Sequence, residues 1–126
     1  MDTAILVDDL DKSAVKLVKA LDDKGFEFTL AALMKNEDTE DWYIVFGIPE
    51  LRMKSSRGSL TVIYDVIKEA NLNLTLNDIK LLDDRDITLL LLKSRFNPSP
   101  ELSRIFLTGN YIDGVRIPDS IIYMVK

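Results

Sequence analysis

Cysteine and histidine are both missing from this sequence of 126 residues, and each absence excludes a class of chemistry. Without cysteine there is no disulfide framework and no thiolate metal site. Without histidine the chain lacks the commonest general base and metal ligand. Ser-His-Asp and Cys-His catalysis are therefore excluded.

We expect no membrane span and no signal peptide, and the charge balance is not basic. No apolar run approaches the length that a bilayer requires, and the first residues do not have the positive segment of a signal peptide. The formal net charge is −5, which disfavours the phosphate contacts that drive nucleic-acid binding. We therefore expect a cytoplasmic protein with no nucleic-acid partner, no membrane partner and no cofactor.

Two stretches of the sequence, 14–46 and 60–92, look like copies of one unit that are offset by about 46 positions. Each copy contains an apolar helical stripe, then an apolar strand pattern, then an acidic turn. The matched stripes are Ala14, Leu17 and Leu21 in the first copy and Leu60, Ile63 and Ile67 in the second. This order indicates an internal duplication of one structural unit.

The hydrophobic periodicity predicts the elements of that unit. Helices are expected over 9–24 and 59–70, and strands over 26–35, 42–48 and 86–94. Gly25 lies where the left-handed residue after a helix belongs. Asp113-Gly114 is the strongest signal for a two-residue type I′ hairpin turn.

These elements predict a single α+β domain over residues 1–126. It would contain two α-β-β repeats, at about 8–48 and 56–94, and a C-terminal β-hairpin at about 105–126. The sheet would be mainly antiparallel, with two helices on one face.

Two parts of the sequence carry a family resemblance. They are Lys19–Phe26 with Ala31–Leu33 and Asp41–Val45, and the tail Gly109–Tyr123 with its Asp113-Gly114 turn. They resemble an uncharacterised family of small bacterial proteins. The resemblance covers most of the chain and implies the duplicated unit and the hairpin, but it implies no activity and no catalytic residue.

A basic loop between the two repeats is a candidate anion site. Arg52, Lys54 and Arg57 supply positive charge, and Ser59 lies where a helix amino terminus presents free N–H groups. The loop lacks the paired glycines of a phosphate-binding Walker motif. The alternative interpretation is a serine that caps the helix, surrounded by solvated cations.

Two acidic turns, 36–41 and 83–86, are a candidate metal site. Clustered carboxylates can hold Mg²⁺ or Ca²⁺, and they would support a carboxylate-metal hydrolase. The second turn lacks the central glycine and the distal glutamate of a calcium-binding loop. Asp and Asn are also common turn residues, which explains both turns without a metal.

Excess apolar strand surface indicates a protein-interaction module. The predicted strands 42–48 and 86–94 are apolar on both faces, whereas two helices would cover one face of the sheet. A large exposed apolar patch usually marks an interaction site, so we predict a homodimer or a subunit of a larger assembly. The predicted interface anchors are Trp42, Ile44, Phe46, Leu90 and Leu92.

The non-enzymatic interaction module is the leading interpretation. The alternatives are a small-ligand or anion-binding domain that uses the basic loop, and the hydrolase. The predicted interface has its own alternative, in which the C-terminal hairpin or the 97–108 loop covers the second sheet face.

Overall fold

The computed structural model describes residues 3–49, 56–83, 85–96 and 101–126, which form an α+β fold. The helices are α1 (Thr3–Asp23), α2 (Ser56–Glu69) and α3 (Ile87–Arg95). The strands are β1 (Leu30–Lys35), β2 (Trp42–Gly47), β3 (Ile79–Leu82), β4 (Ile105–Leu107), β5 (Tyr111–Ile112), β6 (Val115–Arg116) and β7 (Ser120–Val125). The predicted fold class is confirmed.

Five of these strands form one sheet in the order β3-β2-β1-β7-β4. The pairs β1–β2, β1–β7 and β4–β7 are antiparallel, as predicted. The pair β2–β3 is parallel, so the chain must cross over between these strands, and α2 lies in that connection. The strand β7, which comes last in sequence order, pairs with β1 on one side and with β4 on the other. It therefore lies in the interior of the sheet.

Helices α1 and α2 pack on one face of the sheet, as their apolar stripes predicted. Leu17 and Ile63 are completely buried there, together with Phe46 from β2. The helix α1 ends in a Schellman motif, in which the Phe26 amide donates to the Leu21 carbonyl. Gly25 has a φ of 78°, the left-handed conformation expected of it.

Residues 87–95 form a helix, so the predicted strand over 86–94 is wrong. The Asp86 carboxylate accepts hydrogen bonds from the amides of Thr88 and Leu89, at 2.9 and 3.2 Å, and it thereby caps α3. Leu89 and Leu92 are buried against the second face of the sheet. Helices thus cover both faces rather than one, and the second predicted α-β-β unit is observed as α-β-α.

The backbone of Gly47 lets α3 approach the sheet closely. A Cβ atom at this position would lie 2.8 Å from Thr29 Oγ1 and 2.9 Å from Leu89 Cδ1. Such short contacts do not occur in well-packed cores, so the absence of a side chain sets the distance between β2 and the helix.

The C-terminal segment contains the predicted hairpin turn. Asp113 and Gly114 have φ values of 51° and 78°, which fit a type I′ turn between β5 and β6. This two-stranded ribbon lies between β4 and β7 in the sequence, and its Ile112 packs with α3. The hairpin and the helix therefore share the second sheet face.

A β-bulge interrupts the pairing of β7 with β1. Ala31 pairs with Met124, whereas the next residue, Ala32, pairs with Ile122. Tyr123 is the extra residue, and it lies in the core beneath α1.

None of the helices in the part of the chain that the structure describes combines the length and the apolar composition needed to cross a membrane.

Candidate functional site

The predicted anion site lies partly outside the described residues. Arg52 and Lys54 belong to the undescribed stretch, whereas Arg57 and Ser59 lie near the start of α2. Arg57 is exposed and Ser59 is half-buried. The anion site therefore stays a prediction.

The carboxylates of the acidic turns organise the local backbone. Asp83 accepts a hydrogen bond of 2.7 Å from the Arg85 amide, and Asp86 caps α3. Glu37, in the other turn, pairs with Arg116 at 3.2 Å. The described residues contain no group of three acidic side chains placed to hold a metal ion. The hydrolase alternative stays a prediction.

Three of the predicted interface anchors are buried in the core. Ile44 and Phe46 lie beneath α1 and α2, and Leu92 lies beneath α3. They have no accessible surface in the folded chain, so their assignment as anchors is corrected. Of the other two, Trp42 is half-buried and Leu90 is exposed on α3.

The edge strand β4 exposes apolar side chains on both of its faces. The exposed fractions are 37% for Ile105 and 63% for Phe106. Neighbouring residues of a strand point to opposite faces, so the described helices leave both sides of β4 partly uncovered. The Ile-Phe-Leu sequence of β4 was the available signal, and the sequence-based prediction missed it.

A polar cluster of two buried residues, Asp11 and Tyr123, and the exposed Arg104 holds the start of β4 against α1. The carboxylate of Asp11 accepts a hydrogen bond of 2.6 Å from the Tyr123 hydroxyl and pairs with the Arg104 guanidinium. Arg104 also lies over the Phe106 ring, 5.2 Å from its centroid. Burial, reinforced by the hydrogen bond with Asp11, raises the pKa of Tyr123 above its ordinary value. The cluster therefore fixes the edge strand from one side.

Sequence reasoning did not identify this cluster, although one signal was available. Asp11 lies three residues before Ala14 and therefore on the apolar stripe of α1. A carboxylate in such a stripe needs a buried partner, but the sequence does not show which residue supplies it.

A cleft opens on the second sheet face, beside the start of α3. It encloses about 230 Å³. Its floor is formed by Met34, Val45 and Leu82, and Tyr43 and Lys80 stand on the same face of the sheet. The Lys80 ammonium lies 5.9 Å from the centroid of the Tyr43 ring.

The chain was compared with protein-family models, with curated proteins and with solved structures, and none of the three comparisons found a match.

Proposed function

We propose that this protein is a non-enzymatic interaction module that forms a homodimer through β4. The observation that carries the proposal is the exposure of both Ile105 and Phe106 on an edge strand. Proteins usually protect such edges with charged residues or proline, and the three residues of β4 include neither. An apolar edge of this kind favours the addition of another strand.

A second copy of the chain is the partner that β4 fits best. In an antiparallel pair centred on Phe106, this residue faces its own copy, and Ile105 faces Leu107. Arg104 then faces Thr108, so that the two cations are not opposed. Aromatic and aliphatic cross-strand pairs of this kind contribute roughly 0.2–1 kcal/mol each.

The two-fold symmetry of this pairing closes the assembly at two chains. It joins two five-stranded sheets into one continuous sheet and buries the apolar edge of each in the interface. Because β4 has three residues, the interface is small, and we expect a dimer that dissociates on dilution. The compartment that we propose is the cytoplasm, in keeping with a cysteine-free sequence.

Sedimentation equilibrium over a range of micromolar concentrations tests the proposal. We expect the wild type to shift from monomer to dimer as its concentration rises. The substitution Phe106→Lys places a charge on the edge and should abolish the dimer. The matched control is Tyr64→Lys on α2, which replaces another exposed aromatic residue and should leave the dimer intact.

Circular dichroism spectra of both variants establish that they are folded. A wild type that stays monomeric at the highest concentration overturns the proposal. Dimerisation of Phe106→Lys with unchanged affinity overturns it as well.

A further inference from the structure

We propose that the cleft beside the start of α3 binds a small carboxylate that has an apolar body. The apolar part would lie on Met34, Val45 and Leu82, and the carboxylate would pair with Lys80. The cleft is formed by β1, β2 and β3, whereas the proposed dimer uses β4 at the opposite edge of the sheet. The two proposals therefore stand independently.

The floor of the cleft is apolar because strand alternation brings these side chains to one face. Met34 pairs with Tyr43, and Val45 pairs with Lys80, so the four residues share the second face of the sheet. Met34 and Val45 are buried by their neighbours, and Leu82 is half-buried. This floor would exclude water from beneath the aliphatic or aromatic part of a ligand.

The charges around the cleft favour an anion. Glu37 is neutralised by Arg116, at 3.2 Å, and the Asp86 carboxylate is occupied by two amides of α3. Lys80 contacts the ring of Tyr43 but forms no ion pair with any described residue. The acids of the rim thus already have partners, whereas two lining cations, Lys35 and Lys80, have no carboxylate partner among the described residues.

The volume of the cleft limits the size of the ligand. About 230 Å³ is below the roughly 300–1,000 Å³ of pockets that hold drug-sized molecules. A short-chain or single-ring monocarboxylate fits this space, whereas a nucleotide exceeds it. The Tyr43 hydroxyl, on the same face, is available as a second donor to the carboxylate.

Titration with hexanoate, followed by amide NMR spectra of the full chain, tests the proposal. We expect saturable shifts at Val45, Leu82 and Thr88. Two control ligands match hexanoate in length. Hexylamine carries the opposite charge, and hexanol is neutral. Both should bind at least about tenfold more weakly, because neither supplies an anion to the ammonium.

Variants at Lys80 separate the contribution of charge from that of shape. Lys80→Met should weaken hexanoate binding about tenfold, whereas Lys80→Arg retains the cation and should bind. Lys93→Met, in the last turn of α3, is the matched control and should bind like the wild type. The proposal is overturned if hexanoate gives no saturable shifts, if hexylamine binds equally well, or if Lys80→Met binds as tightly as Lys93→Met.

Discussion

The hydroxyl of Tyr123 donates a hydrogen bond of 2.6 Å to the carboxylate of Asp11, and this bond joins β7 to α1 in the core. Removing the hydroxyl in Tyr123→Phe leaves the buried carboxylate with one donor fewer. We expect the free energy of unfolding to fall by about 1–3 kcal/mol, measured by urea denaturation. Tyr64→Phe removes an exposed hydroxyl and serves as the control. Equal losses for the two variants would contradict the prediction.

The same tyrosine predicts a loss of stability at alkaline pH. Burial raises its pKa in the folded protein, so the folded state keeps a proton that the unfolded state releases above about pH 10. Stability from this group is therefore complete below that pH and declines above it, by up to about 1.4 kcal/mol per pH unit. Unfolding free energies measured between neutral and alkaline pH should show a shallower decline in Tyr123→Phe. Parallel declines in the two proteins would exclude this assignment.

The close approach of α3 to the sheet predicts opposite outcomes for two glycine substitutions. Gly47→Ala forces contacts with Thr29 and Leu89, and we expect a loss of about 1–3 kcal/mol in the free energy of unfolding. Gly58→Ala lies in α2 with no atom close to the new methyl group and should gain about 0.5–1 kcal/mol.

A double-mutant cycle locates the cause of the Gly47→Ala effect. In a Leu89→Ala background the new methyl group has more room, so Gly47→Ala should cause a smaller loss. Chemical denaturation of the four proteins measures this difference. Strict additivity would show that Leu89 does not limit the space at Gly47.

The cap of α3 predicts a difference between two substitutions of Asp86. Asp86→Ala removes the acceptor for two amides and should lower the free energy of unfolding by about 1 kcal/mol. Asp86→Asn keeps a side-chain oxygen and should lose little. Thermal denaturation measures the difference, and faster hydrogen exchange at the start of α3 in Asp86→Ala would locate it. Identical melting of the two variants would argue against the cap.

The two helices of the first sheet face and two turns could be predicted because their patterns are local. The stripes of α1 and α2 repeat every three or four residues, and Gly25 and the Asp113-Gly114 turn need particular backbone conformations. The helix α3 could not be read in this way, since Leu89–Leu92 is apolar on every side and has no periodicity. Asp86 before the run and the basic residues at its end were the available helix signals.

The candidate surfaces were harder to predict because they depend on which elements cover which face. Ile44 and Phe46 were assigned to an interface on the assumption of a free strand face, and the position of the helices decides that point. The pair of Asp11 and Tyr123 connects residues that are 112 positions apart, which no short pattern can reveal. The exposure of Phe106 likewise follows from the strand order, which the sequence does not display.

The interior position of β7 has a consequence for the order of folding. Residues 120–125 come after every other strand, yet they separate β1 from β4. During synthesis the β1–β2 hairpin can pair early, but the other side of β1 must wait for residues 120–125 to leave the ribosome. Closing this sheet requires contacts between distant segments, which form slowly. The nascent chain therefore carries one unpaired edge of β1 until residues 120–125 have been synthesised.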